Sequence, residues 1–102
     1  MIYLARNNAA KLSLKPPHVA FVHCSLIEPL PVKSQSIDCV LSNCVVNLLP
    51  QSGRAALLKE VQRVLRPEGR IVLNEVCTHF EEYVLIIHRL VSADRCQKIS
   101  AR

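Results

Sequence analysis

The residues with the most chemical capacity fall together in Ser36 to Pro50, "SIDCVLSNCVVNLLP". A short apolar stretch there is followed by Ser42, Asn43, Cys44 and Asn47, set among valines and leucines. A thiol flanked by a hydroxyl and two amides has two readings. It is a reactive or ligand-bearing site, or it is a turn whose amides cap backbone groups and whose thiol fills space in the core. A second polar spot lies upstream in "CSLIEPLPVKSQS", where Glu28 follows Ile27. Taken alone, Glu28 is a solvated loop carboxylate.

The other thiols add no pattern. Cys24, Cys39, Cys44, Cys77 and Cys96 make five, with neither a CxxC pair nor a histidine at ligand spacing. That speaks against zinc. In a reducing compartment such cysteines are expected to pack as small apolar fillers. His18, His23, His79 and His88 have no triad or ligand spacing among them and receive no role.

What positions the motif is an alternation of elements. Tyr3 to Leu14 suits a helix that stops before Pro16-Pro17, and Val19 to His23 ("VAFVH") suits a strand. The proline-bearing stretch from Cys24 to Ser36 suits a loop. Ile37 to Leu41 suits a buried strand. Leu57, Leu58, Val61, Val64 and Leu65 recur at spacings of three and four, the pattern of one helical face. Arg54, Lys59, Glu60, Gln62, Arg63 and Arg66 fall on the opposite face. Ser52 is an N-cap candidate. Pro67 is expected to halt that helix, with Gly69 left-handed in the turn that follows. Arg70 to Val76 suits the next strand, and Glu81 to Arg95 a last helix.

Strands alternating with helices imply an α/β fold with a parallel sheet. Such sheets bind ligands at the carboxyl ends of their strands. "CSLIE" and "SNCVVN" then share one rim, which favours the site reading of the opening motif.

Composition sets the outer limits. The chain has 102 residues, half of them hydrophobic, which suits one core and excludes a disordered chain. Its 13 Lys and Arg against 8 Asp and Glu leave a net charge of +5. The basic residues are scattered, without the clustering that a nucleic-acid surface needs. No apolar run approaches the roughly 20 residues of a membrane span. "MIYLARNNAAKL" is too short and polar for a secretory signal, so a cytoplasmic protein is expected.

Three stretches now carry a resemblance: "FVHCSLIEPLP", "SIDCVLSNCVVNLLP" and "LLKEVQRVLRPEGRIVLNEV". Together they resemble the class I S-adenosylmethionine-dependent methyltransferases, whose late turn reads RVLKPGG; Glu68 stands where the family commonly has Gly. Within that group "SNCVVNLLP" and "LIEPL" are similar to the arsenite methyltransferase family. The resemblance implies a Rossmann-like fold, a sulfonium methyl donor and trivalent arsenic as acceptor, free or as a thiol conjugate. It implies that Cys44 is the arsenic ligand, a role suited to a soft thiophilic centre. Ile27 and Glu28 would border the adenine of S-adenosylmethionine. Ser42 and Asn43 would lie near its methionyl end.

The chain also departs from that pattern. No GxGxG-like loop is present, since the two glycines are Gly53 and Gly69. The resemblance thus implies a partial domain, residues 1–78, lacking the first two strands of the fold, then a divergent helix and tail over 79–102. Cys96 lies at a suitable distance for a second arsenic ligand, although its surroundings do not match. Three functions stay open: arsenic methyl transfer, small-molecule methyl transfer in which Cys44 is incidental, and a non-catalytic remnant that binds a protein partner.

Overall fold

A computed structural model describes residues 1–75 and the backbone of residues 98–101. The expected helix over Glu81–Arg95, with Cys77, His79, His88 and Cys96, lies outside the described residues.

Helix α1 spans Ile2–Lys11 and buries only Ala9. Ser13, with φ 58°, turns the chain out of it before the two prolines. The Arg6 guanidinium donates to the Phe21 carbonyl at 2.9 Å, tying α1 to the next segment. That segment, Val19 to His23, forms no strand, contrary to its composition. A strand needs a partner for its N–H and C=O groups. Here the Phe21 carbonyl is taken by Arg6.

The expected α/β architecture is present. Strand β1 (Ile37–Asn43), helix α2 (Gln51–Val64) and strand β2 (Leu65–Glu75) follow in order. β1 and β2 pair in parallel, and β3 (Lys98–Ala101) adds to the other side of β2, giving the order β1-β2-β3. Among the described residues β1 is thus an edge strand. α2 lays Leu57, Leu58 and Val61 against Ile71 and Leu73 of β2, with Val46 completing the core. Leu57, Leu58 and Val61 are residues whose helical spacing was legible; Leu65, expected on the same face, instead opens β2, because the helix ends at Val64. Each large side chain so buried contributes about 1.5–3 kcal/mol. The other face of β1 is open, and Leu41 is 74% exposed there.

Two local expectations are corrected. α2 starts at Gln51 with Pro50 as its N-cap, and Ser52 lies inside the first turn. Arg54 N–H donating to the Pro50 carbonyl at 2.9 Å begins the helix there. Gly69 is not left-handed, because β2 already runs from Leu65. Its value is closeness: a Cβ there would come within 2.9 Å of Leu65 Cδ2 and 3.0 Å of the Arg66 carbonyl oxygen. β2 makes an excursion over these residues, since Ile37 pairs with Leu65 but Cys39 with Arg70.

Candidate active site

Beyond that excursion the two strands run in step, from Cys39 beside Arg70 to Asn43 beside Asn74. The last pair is joined through its side chains, Asn74 Nδ2 donating to Asn43 Oδ1 at 2.9 Å. At Cys44 the chain turns left-handed, with φ 53°. Its N–H still donates to the Asn74 carbonyl at 2.8 Å, so the ladder reaches one residue past the strand. A single 3-10 turn, Val46–Leu48, then leads into α2.

The polar residues of the opening motif divide by direction. Ser42 turns inward, and its hydroxyl donates to Glu75 Oε1 at 3.0 Å. Asn43 stays on the exposed side with Asn74. Cys44 is exposed, its thiol donating to Asn43 Oδ1 at 3.6 Å. Cys24 and Cys39 are exposed as well. None of the three is a core filler, because each falls in a loop, on the open sheet face, or at the rim.

Glu75 is the centre that sequence reasoning missed. It is 3% exposed. Besides Ser42 it receives the backbone N–H groups of Val45 and Val46 at 3.3 Å each and of Asn47 at 3.4 Å. A buried carboxylate is tolerated when such donors surround it. The available signal was an acid closing the strand next to "SNC".

The loop carrying Ile27 and Glu28 is held by α2. Leu30 N–H donates to Glu60 Oε2 at 2.7 Å. Arg63 reaches the Leu30 carbonyl at 3.0 Å and the Val32 carbonyl at 2.9 Å, and pairs with Glu60 at 2.7 Å. The Arg63 guanidinium, followed by the Leu30 N–H, holds the Glu60 carboxyl down at about 2. Glu60 and Arg63 belong to the helix face expected to meet solvent; both instead grip this loop. Ile27 is 51% exposed, with its Cγ2 against Gly53 near the start of α2. Glu28 is exposed.

A hollow of about 270 Å³ joins the two regions. Leu26 and Leu30 of the loop line it beside Val40, Ser42, Asn43 and Val45, and its apolar wall is the core face of α2 and β2, including Leu57, Val61 and Ile71. Ser42 and Asn43 therefore share a cavity with the residues flanking Ile27 and Glu28. Cys44, Ile27 and Glu28 are not part of its lining. Among the described residues no cluster of three or more His, Cys, Asp or Glu side chains is placed to hold a metal ion. No helix among them is long and apolar enough to cross a membrane.

The family described as methyltransferase domain matches residues 1–99. The chain belongs to that family. Among curated relatives, the chain is similar to the arsenite methyltransferase of Halobacterium salinarum, 42% identical over 76 residues. That match covers 74% of this chain and 18% of the relative. The mouse arsenite methyltransferase is 38% identical and the human one 36%, each over 74 residues, covering 70% of this chain and 19% of the relative. The matched part of the chain thus spans 18–19% of these relatives' length. No solved structure matches it.

Proposed function

We propose that this chain serves in methyl transfer from S-adenosylmethionine to thiol-bound trivalent arsenic, with Cys44 holding the acceptor. The observation that carries the reading is the Cys44 thiol, exposed at the carboxyl end of β1. The arsenite methyltransferases among its relatives support the choice of acceptor.

The residues present suit the two ends of the cofactor. Ile27, half exposed, offers apolar surface to an adenine ring, and Glu28 an acceptor beside it. Ser42 and Asn43, which line the hollow, would border the methionyl end. When bound, the cofactor supplies a methyl group on a positively charged sulfur, which the arsenic lone pair attacks.

The chain's own part is to hold and orient. Arsenic bonds to the Cys44 sulfur; the thiol proton leaves with a hydroxide of arsenite as water, or with the thiolate of an arsenic–thiol conjugate as free thiol. The left-handed turn at Cys44 presents the sulfur outward. The Glu60–Arg63 grip fixes the loop of Ile27 and Glu28 against the same helix that follows the thiol. We assign the domain to residues 1–78, with 79–102 as its divergent extension, and place the protein in the cytoplasm without nucleic-acid or membrane partners.

Titration of trivalent arsenic into the wild type and Cys44→Ser, read by arsenic–sulfur absorption, tests the reading. Binding is expected to drop by about tenfold or more in the variant. Equal binding by both removes Cys44 as the ligand and leaves a small-molecule methyltransferase. Calorimetry with S-adenosylmethionine tests the cofactor; absence of heat at millimolar concentration favours the non-catalytic remnant.

A further inference from the structure

We infer that Glu75 is a positioning residue: its buried carboxylate gathers the loop after β1 and sets the direction in which Cys44 presents its thiol. The inference rests on the functional reading only for what the thiol binds.

Four donors converge on this carboxylate: the Ser42 hydroxyl and the backbone N–H groups of Val45, Val46 and Asn47. Cys44, with Asn43, lies between the first donor and the other three. Its own N–H is taken by the Asn74 carbonyl at 2.8 Å. The last two residues of β2 therefore hold the chain on both sides of the thiol. A non-glycine residue at φ 53° persists when its surroundings over-determine it. Glu75 supplies that restraint.

Among the described residues these four donors are the carboxylate's hydrogen-bond partners. At 3% exposure an acid is costly to bury, and an apolar residue would serve the core beneath α2 better. Hydrogen bonds to a carboxylate are stronger than those to a neutral acceptor. The amides at the start of a helical turn are the ones lacking a partner within it. One acid thus satisfies the turn and ties it to β1 through Ser42. Asn43 then remains free to face Asn74 and to accept the thiol at 3.6 Å.

The test is Glu75→Gln in the full chain, which keeps the shape but sets an NH2 group against part of the donor cluster. Two readouts separate positioning from general stability. Amide hydrogen exchange at Val45, Val46 and Asn47 is expected to quicken by about tenfold or more, while Leu57 and Leu58 in α2 keep their rates. Site-resolved alkylation of Cys44, measured against Cys39 in the same molecule, is expected to rise by about threefold, as the sulfur leaves Asn43. Equal acceleration in loop and helix, or an unchanged or lower Cys44 ratio, overturns the proposal. Should Glu75→Gln fail to fold, Ser42→Ala, which removes one donor, is held to the same two outcomes. Neither readout uses arsenic or cofactor. A wild type that binds no arsenic at Cys44 removes the functional reading and leaves the role of Glu75 standing.

Discussion

The Ile27 Cγ2 atom lies 2.7 Å from the position a Cβ would take on Gly53. The glycine near the start of α2 is therefore a seat for the loop that precedes β1. Adding a methyl group there forces Ile27 to move, and a β-branched side chain has few χ1 positions to move to. The same change improves helix propensity by up to about 1 kcal/mol. We expect Gly53→Ala to leave thermal stability within about 1 kcal/mol of wild type. Affinity for S-adenosylmethionine should fall several-fold. Calorimetric titration beside a melting curve checks both; unchanged affinity would detach Ile27 from the cofactor.

The Glu60–Arg63 grip has a pH signature. The folded pKa of Glu60, at about 2, lies below its ordinary 4.5, with the Arg63 hydrogen bond as the main cause. A lowered carboxyl pKa gives stability that is complete above about pH 4.5 and fades as the pH falls toward 2. Between those values the urea midpoint of the wild type should drop more steeply than that of Glu60→Gln. Parallel curves would show that the grip contributes nothing.

At Cys44 stability and chemistry pull apart. A left-handed non-glycine residue costs roughly 1–2 kcal/mol, part of which glycine returns through its own loss of freedom. Cys44→Gly is therefore expected to raise stability by about 1 kcal/mol in urea unfolding while abolishing arsenic binding. Cys44→Ser, which keeps a Cβ, should lose binding without that gain. A destabilised Cys44→Gly would mean that the sulfur packs as well as reacts.

Legibility in the sequence followed the range of the interaction. Leu57, Leu58, Val61 and Val64 announced α2 because helical spacing puts them all on its buried face. β1 was legible from a short run of branched residues, and its rim from strand–helix alternation. "VAFVH" misled because strand composition says nothing about whether a partner lies alongside. Gly69 misled because a glycine two residues after Pro67 suits a left-handed turn as well as a tight approach, and only the Leu65 and Arg66 contacts distinguish them. Glu75 stayed hidden for a register reason. Its meeting with Ser42, 33 positions away, exists only once Asn43 aligns with Asn74.

The mismatch between Ile37–Leu65 and Cys39–Arg70 has a last consequence. All the slack between the two strands is taken up at the end remote from the thiol, and the pairs from Cys39 onward then match one for one. A change of length or charge in the Arg66–Gly69 stretch is therefore expected to be absorbed where it occurs, as a loose hem leaves a seam undisturbed. Glu68, the position that departs from the commoner glycine, falls inside that stretch. The excursion thus shields the alignment on which the far end depends.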